Sequence, residues 1–211
     1  MHEIEVLLAS PATLALLIAN IGLSIAAFNN PRLVDKLLFD VNRIRRSKEY
    51  YRGITSGFIH GDPFHLFMNM LALYFMGPFV EYIAGTVGFA LIYFASLIGG
   101  SLWTYMEHFR DSNYRALGAS GAVSGVTGAA AVFAPFAQIY LFFALPMPLG
   151  LFAICYIGYS AWASRANVRD GIGHAAHLGG ALTGVAIVCI FFPQYPKAAL
   201  DQFLATLPAS L

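Results

Sequence analysis

Apolar and polar positions alternate along this chain in long blocks rather than short periods. Six hydrophobic runs stand out, at approximately 7–27, 64–84, 86–106, 118–135, 147–164 and 174–192. A helix crossing the hydrocarbon core of a bilayer needs roughly 20 predominantly apolar residues, and each run is close to that length. Residues 116–164 contain no Asp, Glu, Lys or Arg. That stretch is too long for one crossing and divides into two, with a turn around Pro135-Phe136-Ala137-Gln138. Pro146 and Pro148 mark the entry to the fifth helix, so residues 138–145 are free to lie along the interface. The pattern predicts an all-α membrane protein with six transmembrane helices, in a single domain over residues 1–211.

One loop is long, residues 28–63. Asn30-Pro31 stops the first helix. Leu33, Val34, Leu37, Leu38, Val41 and Ile44 then recur at helical spacing with Arg and Lys between them. This predicts an amphipathic basic helix, either resting on the membrane surface or packed on the protein.

Composition supports the membrane reading. Hydrophobic residues make up 58% of the chain and charged residues 11%, against about 45–50% and about 25% in soluble domains. So little charge cannot cover a water-facing surface, and the partner of the outer surface is the lipid bilayer. A net charge of +1 gives no reason to expect nucleic acid. Cys155 and Cys189 sit in apolar runs and read as small buried hydrophobes rather than a disulfide. Residues 1–5 are acidic where a signal peptide needs a basic start, so the first run reads as a permanent span.

Polar groups inside spans are costly and therefore informative. His65 and Asn69, four apart at the start of the second helix, share one face. Taken alone, such a pair is usually a helix–helix hydrogen bond. Ser120 opens the fourth helix within Gly118-Ala119-Ser120-Gly121-Ala122-Val123-Ser124-Gly125. His177 opens the sixth within Gly173-His174-Ala175-Ala176-His177-Leu178-Gly179-Gly180. Gly121 and Gly125 form one small-xxx-small face, and Gly180 and Gly184 a second; such faces let helix backbones approach closely. The second, fourth and sixth helices cross in the same direction. His65, Ser120 and His177 therefore fall near one membrane face, with Asn69 about 6 Å deeper at 1.5 Å per residue. Ser120 within hydrogen-bond reach of His177 would be a nucleophile with its general base. Asn69, His65 and the Ser120 amide could donate to an oxyanion.

These motifs, in this order and on alternate helices, resemble the rhomboid family of intramembrane serine proteases. The matching residues are Gly118-Ala119-Ser120-Gly121, His65-x-x-x-Asn69 and Ala176-His177-x-x-Gly180-x-x-x-Gly184. Tyr51-Arg52 resembles the Trp-Arg motif of the family's first loop, and Glu81 the acid ending its second helix. The similarity runs through most of residues 50–192. It implies a six-helix rhomboid-like bundle with Ser120 as nucleophile and His177 as base. It also implies an oxyanion hole from His65, Asn69 and the Ser120 amide, and a side gate at the fifth helix. The substrates it implies are single-pass transmembrane proteins whose helix unwinds near its end, since a helical peptide bond is shielded by its own hydrogen bonds. One departure is visible. The family often has an aromatic residue four positions after the serine, packed on the histidine ring; here that position is Ser124.

A zinc protease would need His-Glu-x-x-His and an intramembrane aspartyl protease two Asp inside spans; neither is present. No metal and no cofactor is implied, and His60 and His174 are expected near the site mouth, hydrogen-bonded or solvated. A catalytically silent relative that binds transmembrane helices is the alternative reading. A small transporter would want charges or broken helices at the midplane. Orientation sets two rules against each other. Arg32, Lys36, Arg43, Arg45, Arg46, Lys48, Arg52, Arg110, Arg115, Arg165 and Arg169 fall in the odd loops, and Lys197 on the other side. The positive-inside rule would place the site in the cytoplasm. The resemblance implies the opposite, with the site on the non-cytoplasmic face of a bacterial cell membrane or an organellar inner membrane.

Overall fold

A computed structural model describes residues 2–141, 144–168 and 170–205; Arg169 and residues 142–143 of the 138–145 segment, named above, lie outside them. A short helix α1 (His2–Leu8) leads into α2 (Pro11–Phe28), and α3 (Pro31–Leu37) follows. Strand β1 (Phe39–Asp40), a π-turn (Arg43–Ser47), α4 (Arg52–Thr55) and a 3₁₀ turn (Ser56–Phe58) complete the first loop. Then come α5 (Pro63–His108), β2 (Arg115–Ala116), α6 (Ser120–Phe133), β3 (Gln138–Leu141), β4 (Leu145–Pro148), α7 (Leu149–Arg165), α8 (His174–Phe191) and α9 (Gln194–Ala205). This is an all-α membrane bundle with two short two-stranded antiparallel pairs, β1–β2 and β3–β4. Helices α2, α5 and α8 are each long and apolar enough to cross a membrane.

The second and third hydrophobic runs are one continuous element, α5, broken at Gly85. Gly85 takes φ 71° and ψ 163°, a combination that side chains with a Cβ rarely adopt. The break falls between the runs ending at 84 and beginning at 86. Helix α6 is only 14 residues long, about 21 Å at 1.5 Å per residue, short of the roughly 30 Å hydrocarbon core. At least one of its ends therefore lies within the thickness of the membrane. That is tolerable because the helix is sheathed in protein: eleven of its residues are buried.

Close backbone contact explains the glycines of α6 and α8. A Cβ at Gly180 would sit 1.9 Å from the Gly121 carbonyl oxygen, and one at Gly184 2.0 Å from that of Gly125. The second half of α5 joins them: a Cβ at Gly100 would lie 2.7 Å from the Ala176 carbonyl oxygen and 3.3 Å from Gly121 Cα. Three helices thus meet backbone to backbone one residue away from both Ser120 and His177. Lipid provides no hydrophobic drive for this association, so close packing must supply it.

The first loop differs from the continuous amphipathic helix that its periodicity suggests. Only Pro31–Leu37 is an α-helix there, N-capped by Asn30, whose side chain accepts from the Leu33 amide at 3.1 Å. Beyond it, Phe39, Val41 and Ile44 bury against Tyr105, Tyr114 and Ala116, and β1 pairs antiparallel with β2. Contacts with residues far along the chain replace the helix. Buried Arg52 fastens the loop: its Nε donates to Glu49 at 2.7 Å and its Nη1 to the carbonyls of Asp35 and Leu38 at 2.8 and 2.9 Å. The Arg52 Nε bond, with one from the Tyr51 hydroxyl, holds the Glu49 carboxyl below the usual range.

Glu81 fastens the other side. It accepts from the amides of Ala12 and Thr13 at 3.0 and 2.8 Å, and from the hydroxyls of Thr13 and Thr86 at 2.8 and 3.0 Å. A carboxylate at the first turn of α2 satisfies orphan amides and opposes the helix dipole. Cys155 and Cys189 are free and exposed on the outer face, not buried as their apolar neighbours suggested. In a lipid-facing chain the apolar side is the outside.

Candidate active site

Asp62 begins α5 by accepting from the His65 amide at 2.8 Å, with Pro63 at the first helical position. This sets His65 and Asn69 on the first two turns. Asn69 Nδ2 donates to the His65 carbonyl at 2.9 Å, leaving its second N–H outside that bond. The His65 ring lies over Gly118: a Cβ there would meet His65 Cε1 at 2.6 Å. Gly118 also has φ +122°. The first glycine of the Ser120 motif is thus required twice, by its backbone and by the ring above it.

The turn into α6 is tied down from the first loop. The Gly118 amide donates to the Ser56 carbonyl at 2.9 Å. The Ala119 amide donates to His60 Nε2 at 3.3 Å, and His60 Nδ1 lies 2.9 Å from Ser24 Oγ. An Nε2 that accepts leaves the ring proton on Nδ1, pointing at Ser24. His60 is therefore a buried strut between α2 and the start of α6. Burial, with the nearby His65 ring 5.0 Å away, pushes it down to about 4 against the opposing charge of Asp62.

Ser120 is the first residue of α6, so its amide lies outside the helix's own hydrogen-bond ladder. His177 is in the first turn of α8. Ser120, His177, His65 and Asn69 all line one cavity of about 1190 Å³. Among the described residues no hydrogen bond joins Ser120 to His177. What brings them together is the helix junction beneath, where Gly121 packs on Ala176. Gly125, Gly180 and Gly184 extend that junction away from the cavity. Arg52 and Glu81 are remote from it and act through the loop and α2.

The His177 ring stacks on Tyr156 of α7, with centroids 5.8 Å apart and planes at 26°. The Tyr156 hydroxyl lies 2.6 Å from Ser124 Oγ. Sequence reasoning singled out Ser124 but missed Tyr156. The signal was Phe152 and Tyr156 at helical spacing in the fifth run, which by itself reads as lipid-facing. His174 is buried and bonds Asp170 through Nε2 at 3.2 Å, and its ring meets His177 edge-on at 6.2 Å. The Asp170 carboxyl is held low by the Ile172 amide and then by His174. The nearest acid thus pairs with His174, one turn before His177. No group of metal-ligating side chains occurs among the described residues.

Comparison with known proteins adds an independent line. The family profile described as Rhomboid domain matches residues 47–194. Rhomboid protein 1, mitochondrial, from Saccharomyces cerevisiae is 35% identical over 179 residues, covering 81% of this chain and 51% of that protein. RHOMBOID-like protein 12, mitochondrial, from Arabidopsis thaliana is 30% identical over 197 residues, 85% of this chain and 58% of that one. Rhomboid protease AarA from Providencia stuartii is 27% identical over 225 residues, 94% of this chain and 79% of that one. The chain spans about half the length of the two mitochondrial relatives.

Proposed function

The chain belongs to the rhomboid family, and from that premise we propose that it is an intramembrane serine endopeptidase acting on single-pass transmembrane proteins through Ser120 and His177. The observation that carries this reading is the shared cavity. A hydroxyl, an imidazole and two further donors from three helices face one space at the end of a buried glycine junction.

Ser120 Oγ attacks the scissile carbonyl carbon while His177 takes its proton. His177 then returns that proton to the departing amine, and water repeats the cycle on the acyl-enzyme. The developing oxyanion is met by the Ser120 amide, the free N–H of Asn69 and the His65 ring. The attack requires Ser120 and His177 to close on one another; catalytic hydrogen bonds are often long before substrate and tighten in the reacting complex. A cavity above the roughly 300–1,000 Å³ of small-molecule sites suits an unwound stretch of polypeptide. We place the site on the non-cytoplasmic face. Three of the loop cations that argue against this are already engaged: Arg43 with Asp35, Arg52 with Glu49 and Arg115 with Asp40.

The test is cleavage of a tagged single-pass substrate in liposomes. Wild type cuts it, Ser120→Ala and His177→Ala do not, and Asn69→Ala slows it by about 10²–10³-fold, the usual cost of one oxyanion donor. Equal cleavage by wild type and Ser120→Ala overturns the reading. Binding of the substrate without cleavage by the wild type points instead to a silent helix-binding relative.

A further inference from the structure

We propose that Tyr156, held by Ser124, is the residue that positions the His177 ring, so that the histidine on α8 is oriented from α7. This rests on the reading of His177 as general base.

Three layers of rings carry the inference. Phe152 stacks on Tyr156 at 5.8 Å and 18°, and Tyr156 on His177 at 5.8 Å and 26°. Offset aromatic pairs with centroids about 4.5–7 Å apart are attractive as well as space-filling. Phe152, Tyr156 and Tyr159 recur at i, i+4 and i+7, one stripe of α7. That stripe runs along α8, where Tyr159 meets the His174 ring at 5.4 Å. The Tyr156 hydroxyl and Ser124 Oγ, 2.6 Å apart, fix the ring's rotation from α6.

The position of Ser124 gives the arrangement its meaning. It is four residues after Ser120, one helical turn along the same face. A large ring at 124 would occupy the space that Tyr156 now fills. A small hydroxyl there leaves room for the ring and anchors it. Nucleophile helix and base helix are thus bridged by a side chain belonging to neither. Both hydroxyls stay in their own partnership, and neither is needed for proton transfer from Ser120. His177 makes no hydrogen bond through either ring nitrogen among the described residues, so ring contacts are what hold its plane. With no carboxylate bonded behind it, a base held only by rings is free to turn when a ring is removed.

The experiment compares wild type with Tyr156→Phe, Tyr156→Ala and the double variant Tyr156→Ala, Ser124→Tyr in liposomes. Two readouts are needed: kcat and KM for the tagged substrate, and the rate at which a small soluble fluorophosphonate labels Ser120. The second needs no substrate helix to enter. Tyr156→Ala should lower kcat and labelling together by about 10²-fold, the scale of a displacement near 1 Å, with KM little changed. Tyr156→Phe keeps the ring and should retain most activity. The double variant should recover most of the loss by supplying the ring from α6. Unchanged labelling in Tyr156→Ala sinks the proposal, whatever happens to substrate cleavage. So does a double variant that folds, by its melting curve, yet recovers nothing. Failure of the protease reading looks different: the wild type leaves Ser120 unlabelled, or Ser120→Ala still cuts.

Discussion

Helices α6 and α7 are neighbours of similar length that have been built in opposite ways. In α6, eleven residues are buried and its glycines touch the backbone of α8. In α7 only Leu149, Ala153, Ser160, Ala163 and Ser164 are buried, while Leu151, Ile154 and Trp162 are exposed. The first helix carries Ser120, the proposed nucleophile, and cannot shift without separating backbones. The second touches the site mainly through rings, plus a hydroxyl link from Ser164 to Glu107. The difference teaches a division of labour. Close-packed backbone fixes where Ser120 and His177 stand, and the lightly held helix is where we propose that a substrate enters.

The sharpest way to break that comparison is a single methyl group placed in each region. Gly180→Ala puts a Cβ into the Gly121 carbonyl, so α6 and α8 must part. Overpacking of this kind typically costs about 1–3 kcal/mol, and misplacing the dyad about 10²-fold in kcat. Melting in detergent and initial cleavage rates measure both, and an active, fully stable Gly180→Ala protein would refute the rigid seam.

Next in size is the strut at the start of α6. His60→Ala leaves the Ala119 amide without its acceptor and Ser24 with only its 3.4 Å bond to the Phe58 carbonyl, at about 1–3 kcal/mol for such buried groups. Acid acts on the same contact. Burial holds the folded pKa of His60 near 4, below its ordinary 6.5. As pH falls from about 6.5, the unfolded chain takes the proton first, so stability declines down to about pH 4. A protonated ring would also aim a second N–H at the Ala119 amide. Melting temperature should fall across this window in wild type and less steeply in His60→Gln.

The smallest effect is expected in α7. Nothing lies within 4 Å of a Cβ at Gly158, so Gly158→Ala should leave activity unchanged and move stability by less than about 1 kcal/mol, in the stabilising direction of helix propensity. A loss comparable to that of Gly180→Ala would erase the contrast between the two helices.

Much of this was readable from residue order. The break at Gly85 and the start at Pro63 follow from where the apolar runs stop, and the glycine faces of α6 and α8 from four-residue spacing. The polar residues placed near one face by helix parity do line one cavity. Periodicity failed in the first loop, because Phe39, Val41 and Ile44 are buried by Tyr105, Tyr114 and Ala116 far along the chain. The same blindness hid Tyr156. Position 124 showed that a ring was missing from α6, yet several aromatic residues in the fifth run could have supplied it. The cysteines were misread because an apolar neighbourhood means exposure when the solvent is lipid.

The most direct measurement is the mass of the protein after exposure to a fluorophosphonate, which forms a bond between a serine Oγ and phosphorus as fluoride leaves. One adduct is expected, on Ser120, formed at least about 10²-fold more slowly in His177→Ala, as loss of a general base requires. An adduct on another residue, or one on Ser120 that forms equally fast without His177, would contradict this expectation.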